Sequence, residues 1–294
     1  MQTSNKIVLG TVQFGLKYGI NNSFGKPGKE VVGSILDLAF KNNIRLLDTA
    51  EAYGNSQEVI GDYHRSSGNK FSVITKFSSK NGTIPGKLSV RIQEDLKILN
   101  VDSLYCYMFH SFNDFIKYFD IFKNEIIELK RAKIINRFGV SVYTSQEIAE
   151  LLKYDVIDLI QFPFNLLDNN NQRSGIIKRS KDKGIEIHTR SVFLQGLFFK
   201  NTNDLSGKLV SLVPYVREVS RISKTNNIDL NALSLNYVLQ QENIDNVIIG
   251  VDSVGQLQEN ITSLQKKVPK EVIRQIDLIN VKEVDLLNPS NWNL

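Results

Sequence analysis

Eight short apolar runs of β-type composition recur along the chain, each followed by a longer stretch with helical spacing. That alternation limits the fold more than any other feature. The runs are IVLGTV (7–12), IRLLDTA (44–50), FSVITKF (71–77), SLYCYMFH (103–110), RFGVSV (137–142), VIDLIQF (156–162), IEIHTR (185–190) and NVIIGV (246–251). Between them, segments such as EVVGSILDLAFKNN, LSVRIQEDLKIL, FDIFKNEIIELKRA and SQEIAELLKY repeat apolar residues every three or four positions. That spacing marks a helix with one buried face. Strand and helix in alternation predict parallel strands joined by right-handed crossovers. Eight such units in 294 residues predict one α/β domain, a closed (β/α)8 TIM barrel over residues 1–294. A doubly wound dinucleotide fold would carry G-x-G-x-x-G after its first strand, and the motif is missing. No stretch rich in Pro, Gly or Ser divides the chain.

The widest interval lies between the seventh and eighth runs. It holds SVFLQGLFFKNTNDLSG and helical patterns at 208–226 and 230–241, an excursion placed to overhang the barrel mouth as a lid. The tail VDLLNPSNWNL follows a helical segment near 270–281 and carries the one tryptophan, Trp292, which is expected to line the pocket.

Composition excludes several classes. No apolar run reaches the ~18 residues of a membrane helix, so no membrane partner is expected. The start MQTSNKIVLG lacks a signal peptide's basic-then-apolar order, and a cytoplasmic location follows as the expectation. One cysteine, Cys106, permits neither an internal disulfide nor a multi-cysteine metal site, and no metal is expected. The 36 basic and 31 acidic residues are dispersed, apart from KKVPK at 266–270. Nucleic-acid binding needs a basic stripe, so no nucleic-acid partner is expected. The net charge of +5 does suit a phosphorylated cofactor or an anionic substrate.

In a barrel of this kind the chemistry lies at the carboxyl ends of the strands. Read in order, those positions are Gly10 with Thr11, Asp48, Lys76, His110, Ser141, Gln161, Arg190 with Ser191, and Gly250. Each is polar, or a glycine that lets a ligand approach the backbone. Tyr53 follows Asp48 on a short bend, LLDTAEAYG, above the same mouth. Alone, a strand-end lysine is as often a snorkelling surface residue, and a lone histidine is usually a satisfied core residue. Together the four have one chemistry. A tyrosine of pKa ~10 is a poor donor at neutral pH. A nearby ammonium, Lys76, lowers that value; Asp48 keeps the ammonium charged, and His110 orients a carbonyl oxygen. A second chemistry, a Schiff base on Lys76 in a lyase or aldolase, also suits a strand-end lysine.

These residues resemble the aldo-keto reductases over nearly the whole chain. The likeness runs through GTVQFG (10–15), LLDTAEAYGNSQEVIG (46–61), VITK (73–76), LYCYMFH (104–110), GVS (139–141), IQFPFN (160–165), RSVFLQG (190–196) and IIGVDSVGQLQEN (248–260). It implies that Asp48, Tyr53, Lys76 and His110 form a catalytic tetrad, with Tyr53 as acid–base and hydride passing between a carbonyl carbon and a nicotinamide. It also implies cofactor contacts at Gly10, Thr11, Asp48, Ser141, Gln161, Arg190, Ser191, Leu194, Gly196, Gly250, Ser253, Gln256, Glu259 and Asn260. Substrate contacts follow at Tyr18, Tyr53, His110 and Trp292. The chain departs from the family in places. Val142 replaces an asparagine beside Ser141, and Arg190 stands where an aromatic stacks on the nicotinamide. Gln256, near Asp252, replaces a base for the 2′-phosphate. The family cofactor is NADPH, so NADP with weakened preference, and NAD as an alternative, is expected. The capping hairpin of the family is expected to be missing. The loop GLKYGINN (15–22) and Arg190 put polar and cationic groups at the mouth, which suits a small polar carbonyl compound, sugar-derived or anionic, in a monomer or small homo-oligomer. A nucleotide-binding sensor with little turnover is the remaining alternative.

Overall fold

The computed structural model describes residues 3–22, 25–79 and 86–292. A 3-10 turn, Thr3–Lys6, leads into β1 (Ile7–Gly10). The strands that follow are β2 (Leu46–Asp48), β3 (Ser72–Phe77), β4 (Cys106–Phe109), β5 (Phe138–Ser141), β6 (Leu159–Pro163), β7 (Glu186–Arg190) and β8 (Asn246–Gly250). Each pairs in parallel with the next, and β8 returns to β1, so the sheet closes into a barrel in chain order. Among the described residues the barrel is the only sheet, and no strand precedes β1. The eight runs of β-type composition are the eight strands.

Helices cover the outside: α1 (Val12–Gly15), α2 (Lys29–Lys41), α3 (Ser56–Ser66), α4 (Leu88–Leu99), α5 (Phe112–Arg131), α6 (Ser145–Leu151) and α7 (Asn170–Asp182). They continue with α8 (Val213–Thr225), α9 (Leu230–Leu239), α10 (Val254–Ser263) and α11 (Lys270–Asp277). Their starts are set by side chains that accept otherwise unpaired backbone N–H groups. Ser111 caps α5, Asp229 caps α9, Ser253 caps α10, and Thr144 with Glu147 forms a reciprocal capping box on α6. None of the helices of the described residues is long and apolar enough to cross a membrane.

Strand side chains alternate between two environments, as the two-residue period requires. Val73, Phe77, Tyr107, Phe109, Val140, Ile160 and Ile187 belong to the large core that packs against the helices. Ile74, Cys106, Met108 and Leu159 form a separate small cluster inside the barrel. The parity that turns Ile74 inward also turns Lys76 inward, two residues on, and does the same for Asp48 after Leu46 and Gln161 after Leu159. One layer of strand-end side chains therefore faces the axis at the carboxyl end.

The opposite end of the lumen is filled by a polar network. Tyr105 donates its hydroxyl proton to Glu186 (2.5 Å), Arg137 Nε pairs with Glu186 (2.6 Å), His188 Nε2 lies 2.7 Å from it, and Asn246 Nδ2 donates to it (3.2 Å). Burial pushes the Glu186 carboxyl up, but His188, Tyr105 and Arg137 outweigh it and hold the group at about 2.

The interval between β7 and β8 contains 3-10 turns at Leu194–Phe199, Thr202–Asp204 and Gly207–Leu212, then α8 and α9. Its first part does cross the mouth. There Asn21 Nδ2 donates to the Gly196 carbonyl (2.7 Å), the Ile20 amide to that of Gln195 (3.2 Å), and Gln195 Nε2 to the Tyr18 hydroxyl oxygen (3.0 Å).

Candidate active site

At the carboxyl end of the barrel the Asp48 carboxylate is held on both oxygens. Lys76 Nζ donates to Oδ1 (2.6 Å) and Gln161 Nε2 to Oδ2 (2.7 Å). Lys76 also donates to the Thr49 carbonyl (2.9 Å) and is wholly buried. Its Nζ lies 5.3 Å from the centre of the Tyr53 ring. The His110 ring meets the Tyr53 ring edge-on, with centroids 5.5 Å apart and planes at 81°. Four residues from three strand ends and one bend thus converge.

The bend that carries Tyr53 is fixed from several sides. The Thr49 amide donates to the Ile74 carbonyl (2.8 Å), the Tyr53 amide to that of Ala50 (3.0 Å), and the Ser56 amide to that of Tyr53 (3.1 Å). The Ser56 hydroxyl reaches Thr11, which in turn donates to the Asp48 carbonyl (3.0 Å). Gly54 takes a left-handed φ of +57°, which glycine adopts without strain. Gly15 at the end of α1 presses on the same turn: a β-carbon there would stand 1.6 Å from the Tyr53 carbonyl oxygen.

Electrostatics correct one expectation. Burial pushes the Tyr53 phenol well up, and the negative charge of Asp48 adds to that, while Arg190 opposes them. The net direction is therefore upward, not the lowering that the sequence suggested, with the Lys76 ammonium already bound to Asp48. Burial pulls Lys76 itself down, and Asp48 restores part of its proton affinity. The phenol therefore rests fully protonated, which is the state a general acid needs before reaction.

Above this layer lies a cavity of about 620 Å³, within the usual range for small-molecule sites. Gly10, Thr11, Tyr18, Asp48, Tyr53, His110, Ser141, Gln161, Arg190, Ser191, Gly196, Gly250, Gln256, Glu259 and Asn260 line it. Four residues expected at the site do not. Lys76 sits behind Asp48. Leu194 is buried in the core, and its neighbour Phe193 faces the cavity instead. Ser253 spends its hydroxyl oxygen on the Gln256 amide at the start of α10. Trp292 is buried in the core and donates its indole N–H to the Leu286 carbonyl (2.7 Å), so it pins the tail rather than lining the pocket.

Other lining residues escaped the sequence reading. Tyr143 stands two positions past Ser141, and the Arg190 guanidinium lies 4.2 Å over its ring centre while donating to the Val142 carbonyl (3.2 Å). Arg190 is thus seated on a protein aromatic. Gln13 on α1 and Asn231 on α9 also line the cavity, and Gln13 Oε1 and Asn231 Oδ1 are buried acceptors with no hydrogen-bond partner. Buried polar atoms are normally satisfied, so these two await a ligand's donors. A β-carbon at Gly250 would stand 2.5 Å from Gln13 Nε2, so a larger residue there would make the Gln13 side chain shift. The hydroxyl- and amide-rich surface of a nicotinamide dinucleotide fits such acceptors. At the far wall Asn22 Nδ2 donates to Asp252 Oδ1 (3.0 Å), and the Asp252 amide donates to Gln256 Oε1 (2.7 Å). Among the described residues no group of His, Cys, Asp and Glu is placed to hold a metal ion.

Comparison with known proteins bears on the fold and the family. Among solved structures, the aldo-keto reductase AKR11C1 of Bacillus halodurans in its holo form superposes with a TM-score of 0.75 at 18% identity, covering 94% of this chain and 92% of that one. The glycerol dehydrogenase AKR11B4 of Gluconobacter oxydans gives a TM-score of 0.72 at 19% identity, covering 93% and 90%. In sequence, the chain is 24% identical to the oxidoreductase YqkF of Bacillus subtilis over 83% of its own length and 85% of the relative's. It is 20% identical to the NADH-specific methylglyoxal reductase of Escherichia coli over 79% and 82%. The sequence pattern of the Aldo/keto reductase family matches residues 6–281, and the chain belongs to that family of oxidoreductases.

Proposed function

We propose that the protein is an NAD(P)H-dependent reductase of a small polar aldehyde or ketone, sugar-derived carbonyls included, with Tyr53 as general acid. The observation that carries the reading is the convergence of Tyr53, His110 and the Lys76–Asp48 pair at the floor of one cavity. A bound nicotinamide supplies the hydride. Tyr53 gives its proton to the carbonyl oxygen, and His110, beside the phenol, orients that oxygen. Lys76, Asp48 and Gln161 form the rigid polar base that holds the phenol in place. A preset donor within hydrogen-bond reach contributes about 10²- to 10⁴-fold to such a step.

Ser141, Gln13, Asn231 and the Gly250 cradle are assigned to the cofactor, together with Gly10, Thr11, Gln161, Ser191, Gly196, Gln256, Glu259 and Asn260. Arg190 is the only Lys or Arg among the described residues that line the cavity, whereas Asp252 and Glu259 both do. Among the described residues no lysine or arginine lines that wall to meet a 2′-phosphate, and a carboxylate can take a ribose hydroxyl instead. We assign NADP(H), the family's cofactor, with a preference that this wall weakens, NADH serving as well. The Escherichia coli relative, named for its NADH specificity, supports NADH as the alternative.

The Schiff-base reading is disfavoured by Lys76 itself, which is wholly buried, bonded to Asp48 and Thr49, and outside the cavity lining. Stopped-flow oxidation of NADPH and NADH by a panel of polar aldehydes tests the proposal and separates a catalyst from a sensor. The expected result is turnover with both nucleotides, lowered at least 100-fold in Y53F. Failure of either nucleotide to bind at millimolar concentration, or a Y53F rate equal to wild type, refutes it.

A further inference from the structure

Charge is unevenly distributed around the cavity. The carboxylates Asp252 and Glu259 sit on the β8–α10 side. Asp48 is neutralised by Lys76. Arg190, at the end of β7, is the one cation on the cavity surface among the described residues, and none of their carboxylates pairs with it. Asp168, the acid whose charge it feels, is taken on both oxygens by Arg173 at 2.6 and 2.7 Å.

A partly buried guanidinium without a counter-ion is costly to hold. Here it is kept in place by two contacts that leave most of its N–H fork unused: the Tyr143 ring beneath it and the Val142 carbonyl. Tyr18 lines the same cavity, and its oxygen accepts from Gln195 Nε2, so its own proton is available to donate. Arg190 lines the same cavity as Tyr53 and His110, the groups proposed to meet the carbonyl oxygen.

We infer that Arg190, supported by Tyr143 and assisted by the Tyr18 hydroxyl, is a specificity-determining anion site that binds a carboxylate or phosphate carried by the carbonyl substrate. The inference rests on the reductase reading and narrows it from a polar carbonyl compound to an anionic one. The planar fork of arginine matches both oxyanions bidentately, and a substrate anion completes the charge that the protein leaves open. Tyr143 and the bond to Val142 preset the fork, so little side-chain freedom is lost on binding.

The test compares matched substrates at saturating NADH: succinic semialdehyde against butyraldehyde, and glyceraldehyde 3-phosphate against glyceraldehyde. In wild type, kcat/KM is expected to favour the anionic member of at least one pair by about 10- to 100-fold, the scale of a charge-assisted hydrogen-bonded contact. The pair with the larger ratio names the oxyanion. In R190Q that ratio falls at least tenfold, and R190K, which keeps charge but loses the fork, falls between. Equal kcat/KM for anionic and neutral members in wild type overturns the inference and leaves the reductase reading intact. An equal loss on both members in R190Q also overturns it, since Arg190 then serves the cofactor. If no carbonyl compound oxidises either nucleotide, the reductase reading fails. Calorimetric titration with succinate and with inorganic phosphate then decides the anion site alone. Binding weakened at least tenfold in R190Q upholds it, and no binding to wild type overturns it.

Discussion

Gly15 offers the sharpest test of whether the position of Tyr53 controls turnover. Replacing it with alanine places a methyl carbon 1.6 Å from the Tyr53 carbonyl oxygen and 2.9 Å from the Ser56 amide nitrogen. Ordinary contact begins near 3.4 Å, so α1 and the Tyr53 turn must separate by about 2 Å. Backbone lies on both sides of the clash, and no side chain can swing away to absorb it. Thr11, just before α1, is tied to the Asp48 carbonyl and to Ser56, so the movement reaches the layer under the phenol. A misplacement of about 1 Å at a reacting group lowers rate by about 100-fold. G15A is therefore expected to lose at least that factor in kcat while losing only about 1–3 kcal/mol of stability, as overpacked positions do. Steady-state kinetics with a polar aldehyde and urea unfolding measure the two. G28A is the control: nothing lies within 4 Å of the added carbon, and its kcat should change less than twofold. A G15A enzyme that keeps more than a tenth of the wild-type kcat with a native fold refutes the reasoning.

Other outcomes follow from features already described. K76M leaves Asp48 without its counter-charge, which destabilises the fold by about 3–5 kcal/mol; D48N/K76M should recover part of that in chemical denaturation while remaining inactive. Because burial and Asp48 hold the phenol proton tightly, kcat/KM for reduction should show no loss attributable to Tyr53 between pH 7 and 10; a fall with an apparent pKa near 8 that disappears in Y53F contradicts this. Glu186, held at about 2 against an ordinary 4.5, stabilises the fold fully above pH 4.5. That contribution, about 1–2 kcal/mol after discounting for solvent screening, is lost as pH falls toward 2, and E186Q should flatten acid unfolding in that window. W292A should cost about 3 kcal/mol or more with KM for the carbonyl substrate unchanged, and a raised KM would return the indole to the pocket.

The barrel was legible because each strand contributes an apolar outer face, and residues such as Val73, Phe77 and Ile160 make those runs visible. The strand-end layer was legible for the same reason: inward parity carries straight from Leu46 to Asp48 and from Ile74 to Lys76. Where parity stops, the reading weakened. Leu194, Gln195 and Gly196 all have positive φ, so the chain twists out of any simple period and presents Phe193 rather than Leu194. Gln13 and Asn231 are polar residues on short or largely buried helices, and no spacing rule marks them as cavity groups. Tyr143 lies in a loop, where an aromatic carries no directional signal. The balance of charge at Tyr53 depends on burial and on how completely Asp48 absorbs Lys76, and a residue list contains neither quantity.

Strand parity has a practical consequence. Cavity-lining positions such as 143, 190 and 195 contribute little to the apolar interior between sheet and helices. A library randomised at those three codons should therefore yield mainly well-folded members, and their failures would report on recognition rather than on collapse. New preferences could then be selected from this scaffold before any stabilising background is introduced.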